Sequence, residues 1–162
     1  MTRPEEDRPE PAGAAQRPQL SWHDHAQPPS DLVRLEAVVV RALPLVWSQP
    51  GAAPSVLPDL EEVEISLLDD RTMAAVHGDF LDDPTPTDVI TFHHGEILVS
   101  AETAAREAAE RGGPALRETA LYVIHGLLHL HGHTDAEPAA RDAMHAAQDR
   151  ILETVWPAGT VP

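Results

Sequence analysis

Apolar and polar positions alternate at some stretches of this chain and step at three or four residues in others. Gln19-Leu20-Ser21-Trp22 alternates, which predicts a short strand that Pro28-Pro29 ends. Leu32, Leu35, Val39, Ala42 and Val46 form one apolar face and predict a helix over Leu32–Trp47. Ser30 and Asp31 are both N-cap types and either can start it. Pro44 lies inside the pattern and is expected to kink the helix or end it early. Residues 48–60, punctuated by Pro and Gly, read as loop. Val63–Leu67 alternates and reads as a strand, followed by a short helix over Arg71–His77 capped by Asp70. After a loop at 82–86, Val89–Phe92 and Ile97–Val99 read as strands. Gly95 between them marks a hairpin or a tight bend.

Three helices complete the pattern. Glu102–Arg111 is Ala-rich and stops at Gly112-Gly113. Pro114 suits the first turn of the next helix, which runs to about His131 and ends at Gly132. The last covers Pro138–Val155. Strands and helices in this order predict an α+β fold, with one domain over residues 19–156.

Composition sharpens the picture at the termini. Residues 1–18 hold four prolines, four acids and three arginines, with no large apolar residue after Met1. Such a segment cannot bury enough surface to offset its ordering entropy, so a disordered tail is expected. Residues 157–162 are expected to fray. The N-terminus lacks the apolar core of a secretory signal, and no stretch approaches a membrane span, so the expected compartment is the cytosol.

Charge and residue usage then limit the chemistry. Of 162 residues, 27 are acidic and 11 basic, all of the latter Arg, for a net charge of −16. Broad nucleic-acid binding through neutralised phosphates is therefore disfavoured. Cysteine is absent, which excludes disulfides, thiolate ligands and a Cys nucleophile. Ten His are present, and in a Cys-free chain a transition metal must be held by His and carboxylates.

The segment richest in candidate chemistry is His125-Gly-Leu-Leu-His129-Leu-His131-Gly132-His133-Thr-Asp135. His125 and His129 are four apart on a predicted helix, so their side chains stack on one face and suit one metal ion. The host helix is apolar nearly all round and reads as the buried centre of the domain. Gly132 lets the chain turn back, and Asp135 can then supply a third ligand. His133 is a rival for that place. Three protein ligands leave a fourth position for water, the arrangement of a catalytic zinc. His131 is off the site by its helical phase, and His93, His94 and His145 read as surface or capping residues. The glutamate of the zinc-peptidase HExxH signature is replaced by Gly126, which argues against peptidase chemistry.

These residues resemble the YbeY family of bacterial ribosomal-RNA maturation endoribonucleases. The family's HGxLHLxGYDH helix is matched by His125–Asp135, its PTDVLSF motif by Pro86–Phe92 and its GDIxIS motif by Gly95–Ser100. The resemblance covers roughly residues 19–156. It implies a small mixed four-stranded sheet with about five helices and a zincin-like central helix. It implies a single-strand-specific endoribonuclease with one Zn²⁺ per chain on His125, His129 and Asp135. Small-subunit ribosomal RNA and ribosomal proteins are the implied partners, in the cytoplasm. This chain departs from the family at three positions. Asp135 stands where the third ligand is usually His, Leu81 where an Arg usually precedes the TDV motif, and His77 where Asn is usual. Arg71 and Arg117 are the candidate replacements for that Arg. A ribosome-assembly factor with weakened catalysis is the second reading, and another zinc hydrolase such as a peptidase the third.

Overall fold

The computed structural model describes residues 16–81, 87–157 and 159. Of the predicted tail only 16–18 fall among these, and of the predicted frayed end only 157 and 159. The elements run β1 (Gln19–Asp24), α1 (Leu32–Trp47), a 3₁₀ turn at Leu57–Asp59, β2 (Glu62–Leu68), α2 (Asp70–Leu81), β3 (Val89–Phe92) and β4 (Glu96–Ser100), then α3 (Ala101–Arg111), α4 (Ala115–Leu130) and α5 (Pro138–Val155). This is the α+β architecture expected, with five α-helices and one mixed sheet among the described residues.

The sheet order is β1-β2-β4-β3. β1, β2 and β4 run parallel, and β3 pairs antiparallel to β4 as the second edge. Gly95, at φ 104°, makes the turn between β3 and β4. Alternation along β2 and β4 sends Val63, Ile65, Leu67, Ile97 and Val99 into the main core. Leu68 and Leu98 go the other way, into a small second core with Met73 of α2 and Ile90 of β3. Helix α4 sits at the centre of the main core. It packs on β3 and β4 and touches α1, α3 and α5. Val123, Ile124, Leu127, Leu128 and Leu130 of α4 are completely buried.

Two local expectations are corrected. Helix α1 is not ended early by Pro44 but runs on to Trp47. The missing donor falls opposite the carbonyl of Val40, a residue on the exposed face, where solvent can serve the orphaned oxygen. Helix α2 is capped by Asp69, whose Oδ1 accepts from the Thr72 amide at 2.7 Å, rather than by Asp70. It also passes Gly78 and continues to Leu81. In its last turn the Phe80 ring meets Phe92 of β3 edge-on, with centroids 5.5 Å apart. Asp70 instead accepts from Ser100 Oγ (2.6 Å), Thr103 Oγ1 (2.8 Å) and Arg106 Nη1 (2.6 Å), tying α2 to the start of α3.

Candidate metal centre

The candidate ligands stand on the C-terminal half of α4 and the turn after it. His125 and His129, one helical turn apart, bring their rings to 4.7 Å between centroids at 85°. Leu130 ends the helix. Gly132, at φ 92°, takes the left-handed conformation that lets the chain reverse. The His133 amide then bonds back to the Leu128 carbonyl at 3.0 Å. This turn delivers Asp135 to the histidines, with Oδ2 at 3.8 Å from His129 Nε2. One donor atom from each of His125, His129 and Asp135 lies within 4.8 Å of the others.

The turn is held from outside by the segment after α1. Gly51 N donates to His131 O (3.0 Å), Ala53 N to Gly132 O (3.0 Å) and Val56 N to Leu130 O (2.9 Å). His131, buried, stacks on Trp47 and places its two ring nitrogens 2.7 Å from Ser55 Oγ and 2.9 Å from the Trp47 carbonyl. It is a packing residue, away from the ligand face. His133 turns its Nε2 to the Gln49 carbonyl at 2.6 Å, so its ring is engaged by the same segment. Asp135 is the residue brought to the two histidines.

The histidines are oriented as metal ligands require. The Nδ1 of His129 donates to the His133 carbonyl at 3.0 Å, and the Nδ1 of His125 donates to Gln148 Oε1 on α5 at 2.7 Å. In the neutral form each ring thereby carries its proton on Nδ1 and presents an Nε2 lone pair. Burial lowers the His129 pKa, and the neighbouring His125 lowers it further, which favours the neutral, ligating form. Two imidazoles, one carboxylate and two outer hydrogen bonds make a donor set that fits a divalent first-row ion.

A cavity of about 510 Å³ opens beside His125, between α3, α4, α5 and the start of β3. Its lining includes Asp88, Arg111, Tyr122, His145 and Gln148. His145 of α5 has its ring 6.3 Å from that of His125. Arg111 Nη1 donates to the buried Glu118 carboxylate at 2.7 Å. Burial also pushes the Tyr122 pKa up, so the phenol keeps its proton. Of the two arginines expected to replace the family Arg, Arg117 is committed to the end of α5, through the Trp156 carbonyl and Glu153. Arg71 is exposed on the first turn of α2. Leu81 closes α2, and Asp82 and Asp83 lie outside the described residues. Gln148 and Arg111 escape a reading of the sequence because both stand on helices other than the motif helix. The one available signal for Gln148 is a polar side chain four residues from Met144 and Leu152 on an otherwise apolar face.

Gly126 explains the absent glutamate. A Cβ at this position would lie 2.9 Å from Cδ1 and Cγ2 of Ile97 and 3.0 Å from Thr91 Oγ1. The residue after His125 therefore faces the sheet, in contact with β3 and β4, and a glutamate has no room there.

The family model of the endoribonuclease YbeY matches residues 24–156. The chain belongs to this family. It is 38% identical over 119 residues to the endoribonuclease YbeY of Mycobacterium tuberculosis, covering 62% of this chain and 67% of that relative. To the YbeY of Rhodopirellula baltica it is 38% identical over 107 residues, covering 60% of this chain and 55% of the relative. A solution structure of a Thermotoga maritima protein superposes with a TM-score of 0.61 at 23% identity, covering 85% of this chain and 89% of that one, which supports the fold. The YbeY family is one of nuclease hydrolases with RNA as substrate. Among the described residues no helix is long and apolar enough to cross a membrane.

Proposed function

We propose that residues 19–156 form one YbeY-type catalytic domain, a zinc-dependent endoribonuclease that cleaves single-stranded RNA. Its role is in maturation and quality control of small-subunit ribosomal RNA in the cytoplasm, alongside small-subunit proteins. The observation that carries this reading is the convergence of His125, His129 and Asp135 within 4.8 Å, in a chain of this family. His125 and His129 would hold the ion through Nε2 and Asp135 through a carboxylate oxygen. Held by these three side chains, an ion would supply Lewis-acid charge for phosphodiester cleavage. The chain's own part is positional. Helix α4 fixes the two rings, the Gly132 turn sets the carboxylate, and a cavity of about 510 Å³ opens beside His125. The HExxH glutamate is sterically excluded at Gly126, which removes the support for a peptidase.

The test joins metal content to cleavage. Protein purified without chelator is expected to carry about one zinc per chain, with clear loss in Asp135→Ala. Metal-loaded wild type is expected to cut single-stranded ribosomal RNA, and His125→Ala is expected to lose at least about 100-fold in rate. Equal cleavage by wild type and His125→Ala would reject the reading.

One observation favours the second reading, an assembly factor of weakened catalysis. Arg111, the arginine lining the cavity beside His125, is already paired with buried Glu118. That reading requires association with pre-small-subunit particles to survive His129→Ala, as measured by co-sedimentation.

A further inference from the structure

We propose that Gln148 is a positioning residue of the metal centre, setting the tautomer and the aim of His125. The inference rests on the reading that His125, His129 and Asp135 bind the ion. An imidazole ligates through the nitrogen that lacks the proton, and the hydrogen bond made by the other nitrogen decides which one that is. The two histidines solve this differently. The partner of His129 is the backbone carbonyl of His133, four residues on and part of the turn that also carries Asp135. The partner of His125 is a side chain, Gln148 Oε1, contributed by α5 from 23 positions away.

The amide carbonyl is an acceptor only, so the proton stays on His125 Nδ1 and the lone pair on Nε2. Gln148 is the hydrogen-bond partner recorded for His125 among the described residues. Its aim is fixed by the packing of α5, where Met144, Ala147, Ile151 and Leu152 are buried around it. Without that acceptor the His125 ring can flip about χ2 or exchange tautomers, and each alternative withdraws the lone pair from the donor set. The neutral amide also matches the charge of the site. Asp135 already places one carboxylate among the ligands, and Gln148 adds orientation without adding a second negative charge. Helix α5 thus contributes to the centre although it supplies no ligand.

The first measurement uses the full chain stripped of metal. A long-range ¹⁵N–¹H spectrum is expected to show His125 as the Nδ1–H tautomer in wild type and as a mixture in Gln148→Leu. The second is zinc affinity, by competition with a chromophoric chelator. Gln148→Leu and Gln148→Met are expected to bind roughly 10–100-fold more weakly than wild type. Gln148→Glu keeps an acceptor oxygen at the same reach and is expected to restore affinity to within about threefold of wild type, or to exceed it. With cobalt in place of zinc, the visible ligand-field bands are expected to change in Gln148→Leu and to be recovered in Gln148→Glu. A role in packing alone predicts the reverse order, since Leu suits a half-buried position better than a charged Glu. A folded Leu or Met variant with wild-type affinity and wild-type cobalt bands overturns the inference while leaving the metal site standing. An Nε2–H tautomer in metal-free wild type also overturns it. A wild type that takes up no zinc rejects the metal reading, and with it the role of Gln148.

Discussion

At the scale of single residues, Gly126 and Asp70 turn geometry into measurable energy. Adding one methyl at Gly126 improves helix propensity by about 1 kcal/mol. It also drives a Cβ to 2.9 Å from two carbons of Ile97, a completely buried residue. Neither Ile97 carbon can swing into free space, so overpacking wins. Gly126→Ala is expected to lose about 1–2 kcal/mol net, read as a fall in Tm of roughly 3–6 °C. An unchanged or raised Tm would show that the α4–sheet contact is looser than this. Asp70 gives a pH signature. Burial by itself would raise its pKa, but the donors Ser100, Arg106 and Thr103 outweigh it, and the carboxyl is held below its ordinary 3.8. A depressed folded-state value means the carboxylate stabilises the fold above the unfolded pKa, and that this contribution is lost as pH falls through the lower folded value. Asp70→Asn is therefore expected to cost about 1–3 kcal/mol at pH 7. The two melting profiles should converge as the pH is taken below 3.8. A constant offset down to strong acid would mean that shape, not charge, carries the Asp70 cluster.

At the scale of elements, the segment after α1 and the turn after α4 depend on each other. A Cβ on Gly51 would lie 2.1 Å from the Gly132 carbonyl oxygen, and one on Gly132 would lie 2.3 Å from the Ala53 oxygen. Both obstacles are backbone, so no rotamer change relieves them. Gly51→Ala must therefore peel residues 51–56 from the turn and break the three backbone hydrogen bonds that join them. The expected cost is about 2–4 kcal/mol, with hydrogen-exchange protection lost first at the Ala53 and Val56 amides. Because the same turn presents Asp135, zinc affinity should fall with it. Intact protection at those amides in the variant would dissociate the segment from the site. This contact marks where reading the sequence stops. Gly132 was legible as a helix stop and residues 48–60 as an irregular connection. Their pairing was not, because it runs through main-chain groups that every residue possesses. The reach of α2 was illegible for a related reason. The sequence reading ended the helix at His77, and the last turn beyond it carries Phe80, whose ring meets Phe92 of β3, a contact between distant parts of the chain.

At the scale of the whole molecule, the periodic elements and the candidate triad were legible because each is a short-range pattern. Three- and four-residue steps named α1, Pro114 and Gly132 bracketed α4, alternation named β2, and the His125–Asp135 spacing named the candidate ligands. Gln148 and Arg111 were illegible because their significance arises only when α5 and α3 dock on α4. Net charge, by contrast, was readable at once, and it makes a prediction about how RNA must bind. A chain of charge −16 repels a polyanion, and three of its arginines are spent on Asp70, Glu118 and Glu153. On the proposed function, affinity then comes from an ion held by His125, His129 and Asp135 and from close contacts beside it, not from counterion release. A protein that neutralises one phosphate of a single strand shows a log–log salt slope of about −0.7. Between 50 and 200 mM salt, the Kd for single-stranded RNA is accordingly expected to rise by less than about threefold. Screening of the chain's own repulsion opposes that rise and flattens the curve further. Fluorescence anisotropy across that range, with metal-loaded protein, measures the slope directly. A rise of tenfold or more would mean that several phosphates are held by arginines, and that the acidic surface is bypassed by a basic track. A shallow slope together with binding that is lost on chelation would place the binding energy at the metal.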